Sequence, residues 1–216
     1  MTTLEQHEVF EIEVLNALKS GHLLNPLVFG GGTMLRLCYG LNRYSVDLDF
    51  WFVREMDYNH YQNKISDKLK TDYEVVDNQV KHNTLLLEIR SAIYPKKLKI
   101  EIRKYKQDFD NQDMIAYTQH STIQVMLRVH TLEQTMKNKL SAFLDRVEIR
   151  DAFDIEFLLR KGVKLPALSD REKSNLIAKI TNFKDSDFKV KLGSILDSEL
   201  RNYYIQNRFQ FLQSFL

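Results

Sequence analysis

The chain has one cysteine, Cys38, in 216 residues. No internal disulfide framework is available to it, which suits a protein of the reducing cytoplasm. The apolar neighbours of Cys38 predict a buried thiol rather than a nucleophile. There is no stretch of twenty apolar residues, so no membrane-spanning helix and no membrane partner are expected. Charge of one sign is also lacking: 31 basic against 29 acidic residues leave a net charge of +2. Bulk charge therefore does not mark a nucleic-acid binder, and any such surface must be local. The early acids Glu5, Glu8, Glu11 and Glu13 do not fit a signal peptide. Internal repeats and low-complexity tracts are absent, as are the Gly-Lys-Ser/Thr of a P-loop and the Gly-x-Gly-x-x-Gly dinucleotide fingerprint.

What the chain does contain is a glycine run, Phe29-Gly30-Gly31-Gly32-Thr33, followed by Arg43-Tyr44-Ser45-Val46-Asp47-Leu48-Asp49-Phe50. Residues 26–29 read as a short buried strand, the glycines as a sharp turn that can approach a ligand, and a helix is expected to open near Thr33. Its N-terminus would favour phosphate. On the strand that follows, side chains alternate, so Asp47 and Asp49 face one way while Val46, Leu48 and Phe50 face the other. Two acids about 6–7 Å apart along one strand face can converge on a divalent cation, as magnesium-dependent phosphoryl or nucleotidyl transfer requires. Each piece alone has a plain reading as a turn or a solvated strand face. Asp is disfavoured in strands, however, and two on one face amid Val, Leu, Phe and Trp call for a reason.

A third acid, Glu101, lies on the polar face of a strand over residues 98–104, with Lys99 and Arg103 on the same side. A turn at Pro95-Lys96-Lys97 joins this strand to another over residues 85–93. Lys96, Lys97, Lys99, Arg103, Lys104 and Lys106 form a basic rim around Glu101, suited to a polyanion such as RNA or to protecting a strand edge. Farther on, residues 131–146 read as a helix with Leu132, Met136, Leu140 and Phe143 at helical spacing and a capping box at Thr131 and Gln134. Lys139 and Arg146 share its face. A second helix opens near Arg150-Asp151-x-x-Asp154, where acids complement the dipole.

The glycine run and the Asp-x-Asp strand resemble the signature of the DNA polymerase β-type nucleotidyltransferase superfamily. Gly31-Gly32-Thr33, Leu35-Arg36-Leu37, Tyr39-Gly40 and Arg43 through Phe50 together resemble the AbiEii-type nucleotidyltransferase toxins of bacterial toxin–antitoxin systems. So does Lys139-Leu-x-Ala-x-x-x-Arg146 followed by Arg150-Asp151-x-x-Asp154. The resemblance covers roughly residues 25–160. It implies catalytic Asp47, Asp49, Glu101 and Lys139, with Asp47, Asp49 and Glu101 as ligands of one or two Mg²⁺ ions and Glu101 also as base. Gly31, Gly32, Thr33, Arg43, Ser45, Lys139 and Asp154 would bind the nucleoside triphosphate. Lys139 would contact the leaving pyrophosphate; Asp154 and Arg146 would orient or brace.

The expected fold is an α/β (α+β) nucleotidyltransferase domain, residues 1–128, with a mixed sheet flanked by helices. A C-terminal helical bundle, residues 129–216, is expected to contribute to the active-site cleft. Helices are expected at residues 3–20 and 58–69, strands up to about residue 106, and only helices after about residue 130. The aromatic tail, Tyr203 to Leu216, is expected to pack on the bundle. The resemblance implies a cytoplasmic enzyme transferring a nucleotide to the 3′ end of tRNA, with an antitoxin as partner. A nucleotidyltransferase acting on a small molecule, and a non-catalytic nucleotide- or RNA-binding module, are the alternatives.

Overall fold

The computed structural model describes residues 1–216. They divide into two compact units, one of residues 1–40 with 44–130 and one of residues 41–43 with 131–216. The first unit comprises α1 (Thr3–Ser20), β1 (Leu27–Gly30), α2 (Gly31–Tyr39), β2 (Asp47–Phe52), α3 (Tyr58–Leu69), β3 (Glu74–Val80), β4 (Thr84–Arg90), β5 (Leu98–Arg103), β6 (Asn111–Tyr117) and β7 (Gln124–His130). Its seven strands form one sheet in the order β3-β4-β5-β2-β1-β7-β6. Pairing is antiparallel between β1 and β2 and parallel between β2 and β5 and between β1 and β7. The sheet is therefore mixed, as expected from the sequence.

Alternation along the central strands builds the core. Leu48 and Phe50 of β2 stand opposite Ile100 and Ile102 of β5, which stand opposite Leu87 and Leu85 of β4. All six are buried. Tyr58 and Tyr61 of α3 pack their rings on Phe52, with centroids 5.1 and 4.9 Å away. Helix α1 begins at a true capping box: Thr2 accepts from the Glu5 amide and the Glu5 carboxylate accepts from the Thr2 amide. Its Phe10, Ile12, Val14, Leu15 and Leu18 are fully buried.

The hairpin of β6 and β7 falls between the strands and helices expected from the sequence. Strand β6 is an edge strand, six of its seven residues exposed or half-buried, so it carries almost no apolar period. Strand β7 alternates cleanly, with Val125, Leu127 and Val129 buried, and that period was a usable signal.

The second unit holds α4 (Leu132–Arg146), α5 (Ile149–Arg160), α6 (Asp170–Thr181), a π-helical turn (Asp187–Leu192), a 3-10 turn (Gly193–Ile195), α7 (Ser198–Asn207) and α8 (Gln210–Gln213). At α4, Thr131 caps the Gln134 amide, but the Gln134 side chain bonds Asn138 instead of returning to the cap. Half of the expected capping box forms. The aromatic tail packs as expected: Phe209, Tyr204 and Leu212 are buried, and Phe209 contacts Phe183, Phe188 and Tyr204. No helix is long and apolar enough to cross a membrane.

One buried group in α1 carries a pH dependence. Glu11 is completely buried, and burial, reinforced by Glu8, pushes its carboxyl well above the ordinary 4.5. His7, 3.7 Å away, is pushed down by burial. Burial thus disfavours the charged form of both groups, which weakens any ion pair between them. The folded state holds the Glu11 proton while the unfolded chain releases it, so wild-type stability declines as pH rises above 4.5. Glu11→Gln removes that decline while keeping the shape. Denaturant unfolding at pH 5 and pH 8 should give a stability advantage for the variant that is larger at pH 8; an advantage independent of pH would refute the protonated Glu11.

Candidate active site

The parallel register of β2 and β5 sets the site. Asp47 is partnered with Lys99, Asp49 with Glu101 and Trp51 with Arg103. These residues share the sheet face opposite Leu48, Phe50, Ile100 and Ile102, since neighbours in register point the same way. All three acids are half-buried, within reach of a dissolved ligand yet anchored on strands. The Lys99 ammonium lies 3.6 Å from an Asp47 carboxylate oxygen and 3.6 Å from a Glu101 carboxylate oxygen. With the Lys99 ammonium between two of the acids, the three carboxylates stand on one face without converging on a single point. The donors, hard carboxylate oxygens on one surface, fit magnesium chemistry and not a soft metal.

The glycine run abuts these acids. Gly30 pairs with Asp49 across the antiparallel β1–β2 ladder. A Cβ on Gly30 would lie 2.5 Å from the Trp51 ring and 2.8 Å from His130 Nδ1. Gly31 has φ +76°, and a Cβ there would collide with the Asp49 carboxylate. Only glycine serves at residue 31, both for the left-handed backbone and for the approach to Asp49. Helix α2 starts at Gly31, two residues earlier than expected, and has no side-chain cap. Its first-turn N–H groups are thus left without a side-chain acceptor, beside Asp49. Gly32 is buried in that turn. Ser45 is half-buried, and its hydroxyl makes no hydrogen bond within the protein.

Thr33 has another task than the expected phosphate contact. It is fully buried and donates to the backbone carbonyl of Asp47 at 2.6 Å. Next to it, the His7 ring nitrogen Nε2 donates to the Val46 carbonyl at 3.0 Å. Two side chains from two helices thereby hold the consecutive carbonyls at the start of the acid-bearing strand. Sequence reasoning missed His7, and nothing in its local pattern could have revealed a partner 39 residues away.

In the second unit, Arg43 and Asp154 form a bidentate pair at 2.6 and 2.7 Å. Lys139 Nζ lies 2.6 Å from Asp154 and 3.3 Å from Asp151, and Arg146 forks onto Asp151 at 2.7 and 2.8 Å. Asp151 and Asp154 are completely buried; Arg43 and Lys139 are nearly so. Burial opposes ionisation of Asp154, but Arg43 and Lys139 outweigh it and hold the carboxyl below its ordinary value. Arg43 and Lys139, expected on phosphates, are engaged by buried aspartates; Asp154, expected to bind nucleotide or to brace, and Arg146, expected to brace, lie in the same ion network. The expected thiol at Cys38 is buried, and burial raises it to about 12, which makes it unreactive.

The family model for "Nucleotidyl transferase AbiEii toxin, Type IV TA system" matches residues 13–206. The chain belongs to the AbiEii nucleotidyltransferase toxin family. It is accordingly a nucleotidyltransferase, and membership implies a nucleoside triphosphate substrate and an antitoxin partner.

Two Helicobacter pylori crystal structures are similar in fold. One, a candidate nucleotidyltransferase, has 21% identity and a TM-score of 0.58, with 94% of this chain and 92% of that chain covered. The other, JHP933, has 19% identity and a TM-score of 0.54 over 96% of this chain and 92% of that one. A DNA mismatch repair protein MSH3 of Coccidioides immitis is 30% identical over 95 residues, 44% of this chain. The chain spans 8% of the length of that relative.

For this AbiEii-family chain the buried ion network makes a sharp stability prediction. Asp154→Asn leaves Arg43 and Lys139 without their shared counter-charge, and breaking one partner of a buried pair typically costs about 3–5 kcal/mol. Urea unfolding near neutral pH should show a loss of that order in the second unit. Because the Asp154 carboxyl is held low, its contribution is present above the ordinary 3.8 and fades as pH falls through its folded value. The gap between wild type and variant should therefore narrow in acid. A gap below about 1 kcal/mol at pH 7 would place Asp154 among weakly coupled pairs.

Proposed function

We propose that this AbiEii-family enzyme is a Mg²⁺-dependent transferase that moves a nucleoside monophosphate from its triphosphate to an acceptor hydroxyl, the tRNA 3′ end. The observation carrying this reading is the register of β2 on β5, which brings Asp49 beside Glu101 and Asp47 one step along the same face. In this reading Asp47, Asp49 and Glu101 hold the metal, which supplies charge stabilisation at the phosphates. Glu101 takes the proton from the attacking hydroxyl. The uncapped first turn of α2 at Gly31 and Gly32 and the free hydroxyl of Ser45 cradle phosphate oxygens. Thr33 and His7 keep the strand carrying the acids in place. Arg43, Lys139, Asp154 and Arg146 brace the helical unit. The basic rim on β5 and its flanks, Lys96, Lys97, Lys99, Arg103, Lys104 and Lys106, suits a polyanionic acceptor. An antitoxin that silences this activity completes the proposed system.

Purified protein incubated with each labelled nucleoside triphosphate, Mg²⁺ and total bacterial RNA should label tRNA-sized species at their 3′ ends. Asp47→Asn and Asp49→Asn should lower the rate by about a hundredfold or more while leaving the thermal transition within a few degrees, since both acids sit on the polar face. Induction in a bacterium lacking the antitoxin should arrest growth with the wild type and not with Asp49→Asn. Label appearing only on small molecules would exclude the RNA acceptor, and full activity of Asp47→Asn would exclude the metal site.

A further inference from the structure

Lys99 sits where a cation is needed. It is the register partner of Asp47 on the parallel β5 strand and lies two residues before Glu101, so all three side chains share one sheet face whatever rotamer the lysine adopts. On its other side it is the register partner of Glu88, which is engaged 2.8 Å away by Lys97. Its ammonium is 3.6 Å from both Asp47 and Glu101, and Asp49 stands beside Glu101. Three carboxylates on adjacent strand positions repel one another, and the nearest positive charge in contact with two of them is this one. A strand of two acids and a strand with one acid do not by themselves require a lysine at residue 99. Any residue that tolerates a polar sheet face would serve there if its only task were to fill the surface.

We propose that Lys99 is a built-in counter-cation: it offsets part of the charge of Asp47 and Glu101 in the metal-free enzyme and competes with the divalent ion for their oxygens. This rests on the metal-site reading of Asp47, Asp49 and Glu101. When the ion takes those oxygens, the lysine is released on the same face with its charge unspent. An incoming triphosphate supplies the anionic partner the ammonium has lost. Lys99 thereby couples the two ligands: metal entry frees a phosphate contact, and phosphate capture of the lysine removes the competitor of the metal.

The coupling gives opposite signs for two measurements on Lys99→Met, a substitution at a side chain 37% exposed. Mn²⁺ binding to the nucleotide-free protein, followed by calorimetry or by the paramagnetic signal of the free ion, should be tighter than wild type. The expected gain is about five- to tenfold, the effect of removing one charge about 4 Å from the ligand oxygens in a solvated site. In the same variant the KM for the nucleoside triphosphate should rise by a similar factor. Lys99→Arg, which keeps the charge, should restore both values towards wild type.

Metal affinity in Lys99→Met equal to or weaker than wild type would overturn the proposal. Asp49→Asn serves as the reference for the underlying site. If wild type binds Mn²⁺ and Asp49→Asn does not, while Lys99→Met is unchanged, only the role of Lys99 fails. If Asp49→Asn binds as well as wild type, the metal-site reading itself fails, and the counter-cation with it. Tighter binding in Lys99→Gln as well as Lys99→Met supports competition by charge.

Discussion

The pairing of β2 with β5 in parallel is the constraint on which the rest of the first unit depends. Opposite residues in a ladder share a face, so one register decides two things together. It buries Leu48, Phe50, Ile100 and Ile102 in the core beside Leu85 and Leu87 of β4, and it turns Asp47, Asp49 and Glu101 to the other side. A slip of one residue would send the acids into the core and the aliphatic residues into water. The apolar core thus fixes the polar site, although none of its atoms touches a substrate.

Gathering acids on a sheet face is electrostatically unfavourable, and the surrounding chain shows how that cost is contained. Lys99 supplies a positive charge between Asp47 and Glu101. Gly31 lets the backbone turn in against Asp49, and the uncapped start of α2 adds the positive end of a helix dipole. Beneath the strand, Thr33 and His7 satisfy the carbonyls of Asp47 and Val46. Glu11, which touches Thr33, is buried in this layer, where burial raises its carboxyl well above the ordinary value. The second unit solves a related problem differently. Arg43 and Lys139 hold the buried Asp154 carboxyl below its ordinary value, and the arginine forks satisfy both oxygens of Asp154 and of Asp151. Removal of any one partner would leave a charge stranded in a dry interior.

Much of the site was legible in the sequence. The alternation of Val46 to Phe52 gave the facing of Asp47 and Asp49, and the period around Ile100 gave that of Glu101. Helices α1 and α3 run over the expected residues 3–20 and 58–69, and the family motifs from Gly31 to Asp154 lead to the family the chain belongs to. Three assignments read otherwise in three dimensions. Thr33, Arg43 and Lys139 have side chains suited to phosphate, and position in a motif suggested that use. Each is buried against an acceptor supplied from elsewhere in the chain: Asp47, Asp154, and Asp151 with Asp154. The β6–β7 hairpin leaves little mark in the sequence, because its edge strand lacks an apolar period.

The sequence by itself determined which way each strand residue points and where the chain must turn, because both are local properties of the backbone. Alternation follows from the pleat, and the turn at Gly31 from the absence of a Cβ. Tertiary structure alone decided which charges meet. Lys99 reaches Asp47 because β5 lies beside β2, and Arg43 reaches Asp154 across 111 residues of chain. A charged side chain carries no local mark of its partner. Whether it is a free ligand-binding group or half of a buried pair depends on what the fold brings within a few ångströms of it.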